Sequence, residues 1–179
     1  MTLTTLLLSL MTSSCSLNVS NLDPVEDRRV SLANIQVVWQ APATYKDVKA
    51  ANSHNARFRE RTFSQIEQHL KTLAADLPNN LTLSFVFTNV DLAGDVQYLF
   101  STGQEIRIVK SQYWPKMRFS VTVFDDGKPI AKQDVELTDM MFMDRSMPRF
   151  KRNDSLRYEK RMLSQWFAED LTAQIQKII

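Results

Sequence analysis

"LTLSFVFTNV", residues 81–90, decides the fold. Leu81, Leu83, Phe85 and Phe87 fall on one side of an extended chain and Thr82, Ser84 and Thr88 on the other, because successive side chains of a strand point to opposite faces. One oily face and one wet face predict a strand in a sheet covered on one side only. "NIQVVWQ", residues 34–40, carries the same signature, with Ile35, Val37 and Trp39 alternating with polar neighbours until Pro42 ends the run. Between these two strands the period changes. Phe63, Ile66, Leu70, Leu73 and Leu77 step by threes and fours, which predicts a helix from about Ser53 to Pro78 with one buried face. Glu67 and Lys71 are spaced to pair along its outer surface.

Downstream, "EIRIV" (105–109) predicts a short third strand, and "KMRFSVTVFDDGKPIAKQDVEL" (116–137) predicts a hairpin. A plain two-residue loop at Asp126 and Gly127 would set Val121 opposite Lys132 and Phe119 opposite Asp134, spoiling the apolar face. A three-residue loop, Asp125 to Gly127, aligns Val121 with Ala131 and Met117 with Val135, and predicts a left-handed Gly127 in a bulge turn. After a cap at Asn153 or Asp154, the spacing of Leu156, Leu163, Phe167, Leu171, Ile175 and Ile178 marks a closing helix. Trp166 falls at the edge of its apolar stripe, and Lys177 suits the dipole of its last turn. The order of elements predicts an α+β fold, a mainly antiparallel sheet of four to five strands with two long helices packed on one face.

The amino-terminal segment, residues 1–33, is organised differently. "LLLSLMTSSC", residues 6–15, runs an apolar stretch of signal-core length into small residues and the single cysteine. Thr12, Ser13, Ser14 and Cys15 resemble a bacterial lipobox, although threonine stands where leucine is usual and no basic residue precedes Arg28. The resemblance implies residues 1–14 as signal peptide and Cys15 as the acylated first residue of the mature protein, anchored through its fatty chains. Ser16, a non-aspartate, implies the outer membrane, on the periplasmic side. Plain secretion is the alternative. Residues 15–33, aperiodic and broken by Pro24, are expected to form a flexible tether, and residues 34–179 a single α+β domain.

Composition limits the function. The 179 residues carry 22 basic and 20 acidic side chains, so no single-signed field recruits a nucleic acid. Two histidines, three glycines and one cysteine leave few parts for metal clusters, phosphate loops or disulfides, and no cofactor is expected. His54 and His69 belong to no zinc motif, and no nucleophile elbow surrounds a serine. No enzymatic activity is expected.

Four longer stretches, "RERTFSQIEQHL" (59–70), "VDLAGDV" (90–96), "IRIVKSQYWPKM" (106–117) and "NDSLRYEKRMLSQWF" (153–167), together resemble the bacterial domain-of-unknown-function family 3016. The likeness runs from about Ile35 to Phe167. It implies a small exported protein, many members having signal or lipoprotein leaders, and it brings no ligand or catalytic residue with it.

Three segments stand out as candidate sites. "NVDLAGDV" (89–96) has Asn89, Asp91 and Gly94 at calcium-loop offsets but Ala93 and Phe100 where ligands are required, so it reads as a turn bearing two carboxylates, Asp91 and Asp95. "MMFMDRSMPRFKR" (140–152) joins flexible apolar chains to cations. Met143, Arg145, Met147, Arg149, Lys151 and Arg152 form a possible binding surface for an envelope protein or a lipid headgroup, the other reading being a core-facing methionine stripe beside a solvated basic loop. Trp114 and Trp166 are candidates for a pocket between sheet and helices, with Phe85 and Phe87, that takes a small amphiphile; core packing is the alternative.

Overall fold

The computed structural model describes residues 26–45, 47–51, 54–145 and 153–178. The leader with Cys15 lies outside the described residues, and so do Met147, Arg149, Lys151 and Arg152. Strand β3, Leu81–Asp91, is the middle of a five-stranded sheet ordered β1-β2-β3-β6-β7. It runs parallel to β2, Ile35–Trp39, and antiparallel to β6, Lys116–Asp125. The parallel pair needs a crossover, which helix α1, Asn55–Leu73, supplies. Strand β7, Lys128–Thr138, closes one edge and β1, Arg28–Leu32, the other. A separate two-stranded ribbon pairs β4, Asp95–Leu99, with β5, Gln104–Ile108.

One face of the sheet is dry. Ile35, Val37, Trp39, Leu83, Phe85, Phe87, Phe119 and Val121 are all buried there. A bulge at Thr88 keeps the pattern going, shifting the register so that Val90 rather than Asn89 meets Met117 inside. Onto this face pack α1 and the closing helical segment, which is α2, Arg157–Trp166, a π turn at Phe167–Leu171, and α3, Thr172–Ile178. Phe63 of α1 stacks on Trp39 with centroids 4.2 Å apart, and Trp166 meets Phe119 edge-on at 4.9 Å. The fold is α+β, as the sequence predicts.

Three local expectations are corrected. Residues 28–32, read as tether, form the edge strand β1, paired with all of β2 from Arg28↔Trp39 to Leu32↔Ile35. Arg28 also explains the second correction. Its guanidinium reaches Glu60 at 2.8 Å and bonds Glu67, whose Oε1 accepts from Trp39 Nε1–H at 2.7 Å. Glu67 is therefore a buried acid facing the sheet, 3% exposed, and not a surface partner for Lys71. The third concerns the hairpin. Its loop has two residues, Asp126 and Gly127, both left-handed at φ 44° and 78°. The register is rescued by a bulge at Ile130, between the pairs Phe124↔Pro129 and Val123↔Ala131. Val121 thus faces Gln133 and Met117 faces Leu137, two positions from the alignment expected but with the same side chains inward.

Candidate functional site

The chain after β3 turns sharply. Leu92 and Ala93 are buried, and Gly94 takes φ +90° with its α-carbon so close to β5 that a Cβ would lie 2.7 Å from the Ile108 carbonyl oxygen. Only glycine fits both the angle and the space. Gly94 N–H donates to the Tyr113 carbonyl at 2.9 Å, which lays the loop before β6 across this turn. From below, Glu159 of α2 accepts from Ala93 N–H at 2.7 Å. Burial raises the Glu159 carboxyl above its ordinary range, an effect only partly offset by the Ala93 hydrogen bond. Its Oε2 has no hydrogen-bond partner among the described residues.

Arg107 of β5 fixes the third wall. It donates to Asp47 Oδ2 at 2.6 Å, to the carbonyls of Asp47 and Lys49 at 3.0 and 3.1 Å, and to the Gly94 carbonyl at 3.2 Å. A planar fork with several donors can hold two chain segments at once, so residues 47–49 are clamped against the β4–β5 ribbon. Between these segments lies an open cleft of about 440 Å³. Asp47, Lys49, Asp91, Gly94, Asp95, Tyr113, Trp114 and Lys116 are among the residues that line it. Gln97 bridges two of the lining groups, donating to Tyr113 Oη at 3.1 Å and to Asp95 Oδ2 at 3.3 Å. Lys116 Nζ stands 5.4 Å from the centre of the Trp114 ring. The result is a fixed hollow presenting carboxylate acceptors, ammonium donors and one indole.

Of the residues that the sequence singles out, Asp91, Asp95 and Trp114 meet here. Trp166 does not. It is buried against Phe85 and Phe119, and Phe85, Phe87 and Phe119 touch one another, so aromatic rings fill the space between sheet and helices at this point. The segment after β7 also departs from the methionine-stripe reading. Phe142 is the buried residue, edge-on to Tyr158 at 4.7 Å, and it leaves Met140, Met141 and Met143 exposed. Arg145 bonds Gln165 on α2, and Arg161 donates to the Phe142 carbonyl at 2.6 Å and to Asp139 at 3.1 Å.

Sequence reasoning missed Asp47, Lys49, Arg107 and Glu159. Nothing local marks them: each gains its role from a partner more than twelve residues away, and Arg107 and Glu159 look like ordinary surface charges of a strand and a helix. His69 is structural, its Nε2 lying 2.8 Å from the Lys160 carbonyl oxygen and so tying α1 to α2. Among the described residues no group of three or more histidines, cysteines or acids is placed to hold a metal ion, and no helix is long and apolar enough to cross a membrane.

No curated protein and no solved structure matches the chain. A family model does, over residues 33–169, which takes in every element from β2 to α2 and every wall of the cleft. The chain belongs to the family described as protein of unknown function DUF3016.

Proposed function

We propose that this protein is an exported lipoprotein, acylated at Cys15 and held at the outer membrane on its periplasmic side, that works as a binding module through the cleft beside Trp114. The leader supports the address, and the cleft supports the activity. The observation that carries the binding reading is the Arg107 clamp, which fixes residues 47–49 against the ribbon before any ligand arrives. A wall already ordered loses little conformational freedom on association, so more of the contact energy appears as affinity.

Two measurements test it. Intact-mass analysis of the mature protein from its native host is expected to give a chain beginning at Cys15 with fatty acyl additions; full-length protein starting at Met1 in the cytosol overturns the envelope role. Native mass spectrometry of the protein mixed with a low-molecular-mass envelope extract is expected to give an adduct that Asp95→Asn weakens. Chemical conversion of the adducted compound would overturn a role in binding alone.

A further inference from the structure

We infer that the cleft takes a saccharide, an inference that rests on the cleft being the binding site. The first observation is charge balance. Asp47 is paired with Arg107, which does not line the cleft, and the remaining charged lining residues are two acids, Asp91 and Asp95, and two lysines, Lys49 and Lys116. An ionic ligand of either sign gains no net attraction from such a site. A neutral ligand loses nothing.

The second observation is the mixture of hydrogen-bonding types at close quarters. Carboxylates only accept and ammonium groups only donate, so a ligand that satisfies both must do both itself. A hydroxyl does, and a ring of neighbouring hydroxyls does so repeatedly. Asp95 is the best placed acceptor. It stands at the first residue of β4, and Gln97 holds its Oδ2 from the side, so its orientation is set before binding. Charge-assisted bonds from hydroxyls to such a carboxylate are the strong ones.

The third observation is Trp114. Trp39 and Trp166 are buried in the core, whereas Trp114 is half-buried and lines the cleft. An indole face offers flat apolar surface of the size of a sugar ring, whose axial C–H groups make one side apolar although its rim is polar. Lys116 Nζ lies over one face of the ring, 5.4 Å from its centre, and leaves the other face for the sugar. The volume, about 440 Å³, lies in the range of small-molecule sites and accommodates one or two sugar rings.

The test uses the full chain with Cys15→Ser, so that it stays in solution, and saturation-transfer NMR with di-N-acetylchitobiose, maltose and sucrose as probes. The dipeptide alanyl-alanine and inorganic phosphate serve as ionic comparisons. At least one disaccharide is expected to receive saturation at its ring C–H protons, with Trp114→Ala abolishing the transfer and Asp95→Asn lowering affinity tenfold or more. Trp166→Phe, in the core, should leave binding unchanged. The buried Trp39 emission reports that each variant is folded. Transfer to the dipeptide or a phosphate-induced shift of the Trp114 indole signal, with none of the disaccharides binding, overturns the saccharide assignment and leaves the cleft as a binding site. No response at the Trp114 indole to any probe overturns both.

Discussion

Glu159 Oε1 accepts the Ala93 N–H at 2.7 Å, so helix α2 holds the turn whose Leu92 and Gly94 line the cleft. The sheet side and the helix side of the molecule meet at this bond, and its chemistry is sensitive to pH. Glu159 is almost wholly buried, and burial rather than any charged neighbour sets its titration.

The sign of the pH effect follows from the direction of the shift. A carboxyl raised above its unfolded value binds its proton more tightly when folded, so its contribution to stability is complete below the unfolded pKa and is lost as pH rises through the folded one. Asp154, held low by Lys160 and the Leu156 N–H against the upward push of burial, and Glu60, held low by Arg28, act in the opposite window, losing stability only as the medium becomes acidic. Urea midpoints of the wild type are expected to fall as the pH rises above the ordinary carboxylate range, and Glu159→Gln, which keeps the acceptor for Ala93, should flatten that slope. Equal slopes in the two proteins would contradict the assignment.

Gly94 and Gly127 both have positive φ, at 90° and 78°, yet they should respond differently to alanine. At Gly127 nothing lies within 4 Å of the added carbon, so the cost is the left-handed backbone alone, about 1 kcal/mol. At Gly94 the carbon meets the Ile108 carbonyl as well, and the ribbon must move. Gly94→Ala is expected to cost roughly 2 to 4 kcal/mol by equilibrium unfolding. Similar losses at the two sites would mean that the close approach to Ile108 carries no energetic weight.

Legibility in the sequence follows how local each cause is. The alternation in β2 and β3 and the steps of three and four in α1 are printed in neighbouring residues, and those elements stand where the pattern puts them. Strand β1 hides because Arg28 and Arg29 make it look like linker; only its pairing with β2 and the Glu67 contact reveal it. The hairpin shows the same limit in finer detail. Polarity alone demands that Val121 and Val123 share a face with Ala131 and Val135, but a longer loop and a bulge at Ile130 both satisfy that demand. The cleft is the least legible part. Its walls come from residues near 47, 94 and 114, brought together by backbone bonds to Gly94 and by the Arg107 fork.

Arg28 tests whether the domain begins before Asn34. Its partner Glu67 is 3% exposed and also accepts from Trp39, so Arg28→Ala leaves a carboxylate inside the protein without its cation. Such a loss costs about 3 to 5 kcal/mol. A double variant, Arg28→Met with Glu67→Gln, removes the buried charge too and should recover much of that loss, since the new amide oxygen can still accept from Trp39. Denaturant titration distinguishes the two. A single variant as stable as wild type would return residues 28–32 to the status of a tether.

Arg107 makes the sharpest local prediction, because its four bonds hold a ribbon that, among the described residues, has only two strands. Isolated ribbons of this kind are marginal in water. Replacing Arg107 by lysine keeps the charge beside Asp47 but cannot reach four acceptors with one ammonium group. Global stability should fall by about 1 to 3 kcal/mol, while amide exchange in 95–108 rises well beyond that of β3 and β6. The reason is that the ribbon opens without breaking the aromatic core under Trp166. Exchange that increases uniformly across sheet and ribbon would show that the ribbon unfolds only with the whole domain, and that the clamp does not set its rigidity.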